Sequence, residues 1–365
     1  MAIGDMGPGA GAFSPSRRGV LKAAAVGAAA GFHPFGAWVS AQEGTPEPAA
    51  SASAFVPIQP VSPEYYIPGR FDGKVLLVTG GAMGSKAQGV TNDRYLMSIG
   101  AASAIRAARE GAKVALFDVK ADGLAEVLAR IEQDGGEAIA IQGDVTSTED
   151  CARMVGETVA RFGRIDLVLN AAGVLDGNDP SAPVDYNLPA DEALAPAVIH
   201  LATDAYWERV VAVNTTGVFK SLRAQLGQFV KQGTGGAVVN IGSIAGLTGL
   251  NGNPAYVASK HGVTGITRQA ALDYAQHGIR VNSVNMASTD TPMVFRAMDY
   301  VMWARANRPA GGIIFKTESI LSMVNPEHPG ATPWEQAGPI LFLLSDDASN
   351  LTGGVYATDG GWTAY

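Results

Sequence analysis

Lys74-Val75-Leu76-Leu77-Val78-Thr79-Gly80-Gly81 is an apolar run that ends in a glycine turn. It reads as a strand buried on both faces, as strands of parallel sheets are. Similar runs follow it. Val114-Ala115-Leu116-Phe117-Asp118 ends in an acid, and Ile141-Gln142-Gly143-Asp144-Val145 ends a third strand. Leu167–Gly173 is a fourth, Ala237–Ser243 a fifth and Arg280–Val284 a sixth. Amphipathic stretches separate them: Ala101–Glu110, Gly123–Gln133, Asp150–Phe162, Tyr206–Lys231 and Pro254–His277. This alternation predicts an α/β fold, a doubly wound parallel sheet covered on both faces. Ligands of such sheets bind outside the carboxyl ends of the strands. Gly80, Asp118, Asp144, Asn170 and Ser243 all lie at those ends.

Tyr256-Val257-Ala258-Ser259-Lys260 supplies the chemistry, with Ser243 upstream on a strand end. Residues four apart share one helix face. The lysine ammonium there favours the phenolate and draws the tyrosine pKa down from ~10 toward the working range. A serine hydroxyl beside them can hold a substrate oxygen, so the three form an acid–base unit for a carbinol or carbonyl. Tyr-x-x-x-Lys alone is weak, because a solvated helix face often carries it; its value lies in the accompanying residues.

With those residues in place, the chain resembles the short-chain dehydrogenase/reductase family from about Phe71 to Tyr365. The markers are Thr79-Gly80, Asp144-Val145, Asn170-Ala171-Ala172-Gly173, Asn214, Ser243, Tyr256 with Lys260, Thr291-Pro292-Met293, and the ending Leu351-Thr352-Gly353-Gly354 … Asp359-Gly360-Gly361. The resemblance implies a Rossmann-like domain that binds NAD and interconverts an alcohol and a ketone. It implies Tyr256 as general acid/base, and Lys260 as the group that tunes it and holds the nicotinamide ribose. Ser243 would orient the substrate oxygen, and Asn214 would hold a relay water. The cofactor set it implies is Thr79, Gly80, Gly84, Ile99, Gly100, Asp118, Asp144, Val145, Asn170, Ala171, Gly173 and Thr291, with Tyr256 and Lys260. It also implies a homo-oligomer, dimer or tetramer.

Asp118 bears on cofactor choice. A carboxylate there accepts from the adenosine ribose hydroxyls and repels a 2′-phosphate, favouring NAD over NADP. A plain helix-side cap is the other reading, and Lys120 nearby weakens the preference. Two features depart from the family pattern. Thr79-Gly80-Gly81-Ala82-Met83-Gly84 matches, but the continuation falls at Ile99-Gly100, which leaves Ser85–Ser98 as an insertion in the phosphate-binding loop. In the other alignment Gly89 is the last glycine and Asn92 or Asp93 caps a longer helix. Met286-Ala287 stands where the family has Pro-Gly beside the nicotinamide.

The N-terminus suggests export. Ser16-Arg17-Arg18-Gly19-Val20-Leu21-Lys22 precedes an Ala/Gly-rich stretch from Ala23 to Val39, and Val39-Ser40-Ala41 offers small residues for cleavage. The paired arginines resemble a twin-arginine signal, with the export machinery as partner and the periplasm as destination. Gly27, Gly31, His33 and Pro34 interrupt the stretch, which is shorter than the ~20 apolar residues of a stable membrane anchor. The expected organisation is a signal at 1–41, a Pro/Ala-rich arm at 42–69 and one catalytic domain at 70–365, with an insertion at 176–203 and a substrate lid at 292–333.

The 365 residues carry a net charge of −8. Residues 1–41 hold three of the 26 Lys and Arg and one of the 34 acids, so the remainder carries −10. Such a balance argues against nucleic acid or an anionic membrane as partner. Cys151 is the lone cysteine, which excludes an intramolecular disulfide. The five histidines are scattered, so no metal site is expected. Phe295, Met298, Tyr300, Met302 and Trp303 of the lid could enclose an apolar or ring-shaped alcohol, or could equally be packing beneath it. Two other functions stay open: a redox-neutral epimerase or paired-substrate enzyme with permanently bound NAD, and a non-catalytic dinucleotide-binding protein. A cofactor carried across the membrane and retained would suit an exported enzyme. Ser85–Ser98 and the arm, with Tyr65 and Tyr66, are the candidates to cover it.

Overall fold

The structure is a computed structural model that describes residues 59–84, 96–307 and 330–364. The chain falls into two units, Met1–Ala54 and Phe55–Tyr365, and the described residues all belong to the second. The expected signal and most of the insertion at 85–98 lie outside the described residues.

In chain order the elements are β1 (Val75–Thr79), α1 (Ile99–Arg109), β2 (Lys113–Asp118), α2 (Ala121–Gln133), β3 (Ala138–Gln142), α3 (Thr148–Phe162), β4 (Leu167–Asn170) and the short α4 (Pro189–Ala193). Next come α5 (Asp204–Val211), a π-turn (Ala212–Gly217), α6 (Val218–Gln232), β5 (Gly236–Ile241), α7 (Pro254–Tyr274) and β6 (Ile279–Met286). The domain ends with α8 (Pro292–Asn307), α9 (Pro333–Leu344) and β7 (Val355–Thr358). All seven strands are parallel, in the order β3-β2-β1-β4-β5-β6-β7. The strand order reverses at β1, between β2 and β4, and that switch point is where such sheets open a ligand crevice. The expected α/β sheet is therefore present. The unforeseen strand is β7, a short half-buried Val-Tyr-Ala-Thr at the edge, whose four residues give little periodicity to read.

Alternation along β1 and β2 builds two cores. Leu76, Val78, Val114 and Leu116 face one layer with α1, α2 and α9, whereas Leu77, Ala115 and Phe117 face the other with α3, α5, α6 and α7. Each fully buried side chain of this size stabilises the fold by about 1.5–3 kcal/mol relative to exposure. Local signals set the helix starts. The Ser98 side chain accepts from Ala101 N–H at 3.0 Å and caps α1, Ser147 caps α3 in the same way, and Thr332 with Glu335 forms a capping box on α9. The cap at Ser98 starts the helix at Ile99, which agrees with the Ile99-Gly100 alignment and not with a helix begun at Asn92 or Asp93.

The described part of the arm, with Arg70 just beyond it, runs along α1. Arg70 pairs with Glu110 at 2.6 and 2.7 Å, Ile67 N–H donates to Glu110 at 3.0 Å, and Arg109 donates to the Pro63 carbonyl at 2.8 Å. Tyr65 lies over the Arg106 guanidinium, 4.8 Å from its ring centroid. These contacts sit at the C-terminal end of α1, about 15 Å along the helix from the glycine turn at 1.5 Å per residue. Tyr65, one of the residues named as a candidate cover, lies at that end of α1 and not at the turn.

Candidate active site

A pocket of ≈ 250 Å³ opens along the carboxyl ends of the strands. Its floor is the glycine turn after β1. Gly80 has φ +72°, and a Cβ there would stand 2.5 Å from Ala172 N; a Cβ on Gly100 would stand 2.2 Å from the Gly80 carbonyl oxygen. The turn is pinned by Gly80 N–H and Gly81 N–H, which both donate to the Phe117 carbonyl at 2.9 and 3.3 Å. Ser98, Ile99 and Gly100 at the start of α1 line the same floor. A bare backbone cradle at a helix N-terminus suits an anionic pyrophosphate.

Asp118 ends β2 on the pocket wall. Its carboxylate accepts from Ala82 N–H at 3.2 Å and Lys120 N–H at 3.1 Å. Burial pushes its pKa up; those backbone bonds and the Lys120 charge oppose the shift. Each oxygen keeps a lone pair for a ribose hydroxyl. Lys120 is half-buried, and burial pulls its pKa down against the attraction of Asp118. Asp144, Val145, Ala171, Gly173 and Thr291 also line the pocket, as do Gly84 and both members of Met286-Ala287.

Two expected cofactor residues lie beneath the pocket instead of lining it, a correction to the sequence reading. Thr79 is 1 % exposed and Asn170 2 %. Asn170 exchanges hydrogen bonds with Gln225 at 3.1 and 2.9 Å and donates to Asn240 at 3.0 Å, which donates to Thr267 at 3.0 Å. This buried network fixes β4 against β5, α6 and α7, and so places Ala171–Gly173 at the surface. A strand-end asparagine looks the same in sequence whether its amide faces ligand or core.

The side chains expected to react converge from two elements. Ser243 follows β5; Tyr256 and Lys260 stand one turn apart on α7, and all three line the pocket. The Ser243 N–H donates to Asn285 at 3.2 Å, and its hydroxyl accepts from Ala245 N–H at 3.1 Å. The Lys260 ammonium lies 5.6 Å from the Tyr256 ring centroid and donates to the Ile241 carbonyl at 2.8 Å. Burial pushes the Tyr256 phenol up, and the hydrogen bond from Ser243 opposes that shift in part. Burial lowers Lys260 to about 8. The sequence reading assigned a lowering of Tyr256 to Lys260; in the structure burial outweighs the Ser243 hydrogen bond, the phenol lies above its ordinary value, and the Lys260 ammonium donates to a carbonyl.

Asn214 sits in the π-turn and is fully buried. Its amide donates to the Val174 carbonyl at 2.9 Å and Ser259 Oγ at 3.1 Å, and its carbonyl accepts from Val174 N–H at 2.8 Å. Both amide hydrogens are spent, so the side chain staples the segment after β4 to α7. The side chain does not line the pocket. A π-turn packs an extra residue into the helix and often marks a functional site.

A family model described as short chain dehydrogenase matches residues 96–299. The chain belongs to the short-chain dehydrogenase family. It is 33 % identical over 311 residues to a 3beta-hydroxysteroid dehydrogenase of Mediterraneibacter gnavus, covering 82 % of this chain and 98 % of that protein. It is 33 % identical over 297 residues to a levodione reductase of Leifsonia aquatica, covering 81 % and 96 %. A solved short chain dehydrogenase from Mycobacterium paratuberculosis bound to NAD superposes with TM-score 0.67 at 26 % identity, covering 81 % of this chain and all of that one.

In this short-chain dehydrogenase the lid contributes Pro292, Met293, Val294 and Arg296 to the pocket. The aromatic lid residues do otherwise. Tyr300 and Trp303 stack on Tyr186 of the 176–203 segment, with centroids 5.5 and 5.8 Å away. They are packing, the second of the two readings the sequence left open. Sequence reasoning passed over Asp176, Arg209 and Arg296, which also line the pocket. Among the described residues no cluster of His, Cys, Asp or Glu could hold a metal ion.

Proposed function

We propose that this enzyme interconverts a ring-borne secondary alcohol and its ketone with NAD as cofactor. The observation that carries the reading is the meeting of Ser243, Tyr256 and Lys260 with the glycine turn and Asp118 in one pocket. The cradle at Gly80, Gly84 and Gly100 would hold the pyrophosphate, and Asp118 the adenosine ribose. When bound, NAD supplies the hydride acceptor. The protein's own part is proton transfer. Ser243 holds the substrate oxygen beside the Tyr256 phenol, and Tyr256 takes the hydroxyl proton in oxidation or returns it in reduction. Lys260, whose pKa burial lowers to about 8, would hold the nicotinamide ribose. Apolar lining from Val174, Leu175, Met286, Met293 and Val294 suits a ring, and the relatives are named for steroid and levodione substrates.

Titration with NADH and NADPH tests the cofactor assignment. The native protein binds NADH more tightly, and Asp118→Ala narrows the preference by about tenfold, the worth of one or two hydrogen bonds to a charged group. Tighter NADPH binding by the native protein would sink it.

The reading extends to location. Arg17-Arg18 and Val39-Ser40-Ala41 support export by the twin-arginine route as a folded, NAD-loaded homo-oligomer that keeps its cofactor. Cell fractionation with N-terminal sequencing is expected to find a mature chain starting at Gln42 outside the cytoplasm. An intact Met1 chain in the cytoplasm would refute export.

A further inference from the structure

We propose that Asp176 and Arg296 form a strap across the pocket, which holds the lid helix against the loop after β4 and sets how fast the dinucleotide leaves. The proposal rests on the dinucleotide reading above. The two residues come from facing walls of the pocket, Asp176 six residues beyond β4 and Arg296 in the second turn of α8. Arg296 Nε donates to Asp176 at 2.9 Å and Nη2 at 3.4 Å; its Nη1 donates to the Asp179 and Ala182 carbonyls at 2.9 and 3.0 Å. Asp176 also accepts from the Tyr186 hydroxyl and from Asn178 N–H, each at 3.0 Å. The side chains of the pair are 15 % and 6 % exposed.

This inventory separates two roles for the arginine. A guanidinium reserved for a phosphate would keep a fork of donors free. Here four of its five N–H groups are spent on one loop, so its work is to join that loop to the lid. The join is reinforced one and two turns on, where Tyr300 and Trp303 pack against Tyr186 and the Tyr300 hydroxyl donates to the Pro196 carbonyl. Arg296, Tyr300 and Trp303 recur at helical spacing, so one face of α8 carries the whole attachment.

The strap also lies near the adenosine end of the groove. Lys120, two residues past Asp118, feels both the Arg296 charge and the Asp179 charge. The base of the lid rests on the glycine turn, since a Cβ on Gly84 would meet Pro292 at 2.5 Å. The lid thus spans the groove from the glycine turn to the strap, and a ligand lying between the two leaves only when one attachment opens. A buried pair whose lone pairs are satisfied opens reluctantly, because separation strands a charge.

Stopped-flow displacement of NADH by excess NAD from the mature protein tests this. Arg296→Gln and Asp176→Asn each speed release by about tenfold or more, and the double variant is no faster than the faster single one. The change falls on release and on cofactor KM, with single-turnover hydride transfer affected far less. Arg296→Lys restores part of the slow release. Should the charge variants fold poorly, Tyr186→Phe keeps the ring stack and deletes one hydrogen bond to Asp176; it speeds release by about two- to fivefold. Unchanged release in well-folded variants, or additive effects in the double variant, overturns the strap and leaves the dinucleotide reading intact. A native protein that binds no NADH overturns both.

Discussion

Tyr256→Phe loses about 10²–10⁴-fold in turnover, the span that a positioned acid–base group supplies, while NADH affinity stays close to that of the native protein. The substitution keeps the ring in its buried site and removes the phenolic oxygen that meets Ser243. Nothing else in the pocket can replace it. The Lys260 ammonium is committed to the Ile241 carbonyl, and the Ser243 hydroxyl has no base of its own. Steady-state rates on a ring alcohol, read beside NADH titration, check both halves. Wild-type turnover in the variant removes Tyr256 from the acid–base role, and a parallel loss of NADH binding shows the damage to be structural.

Gly100→Ala costs about 3 kcal/mol of stability and weakens dinucleotide binding by more than tenfold. The added Cβ would lie 2.2 Å from the Gly80 oxygen and 2.9 Å from its carbonyl carbon. Those atoms belong to a turn already held by the Phe117 carbonyl, so the helix start must move and carry the cradle with it. Overpacking of this kind costs ~1–3 kcal/mol where side chains can yield, and a backbone oxygen yields less. Gly227→Ala on α6 is the matching control. Its Cβ meets nothing within 4 Å, so the better helix propensity of alanine raises stability by up to ~1 kcal/mol. Denaturant unfolding with and without NADH reads both; equal midpoints for the two variants would contradict the clash.

The layered fold was legible because its signals are local. Runs such as Leu76-Leu77-Val78 and Val114-Ala115-Leu116-Phe117 are apolar on both sides of a strand, and only a sheet covered on two faces buries them. Gly80 and Gly100 declare themselves in a similar way, since backbone approach excludes any side chain there. Helix spacing placed Tyr256 over Lys260, and the strand end placed Ser243 beside them. The edge strand β7 was too short to show a period, and the arm read as a linker, although Glu64 and Tyr65 pair with charges on α1.

Partner choice was decided in three dimensions. The sequence alone determined the sheet, the glycine turn and the meeting of Ser243, Tyr256 and Lys260, because each rests on local pattern and spacing. It could not assign Asn170 to the core, or turn the Lys260 ammonium to the Ile241 carbonyl. Those outcomes hang on Gln225, 55 residues away, and on a lysine that finds a carbonyl 19 residues back. Nor could it join Asp176 to Arg296 across 120 residues. Hydrogen bonds and ion pairs are short-ranged, so which groups meet is settled only when the packing of helices on the sheet brings distant segments to one end.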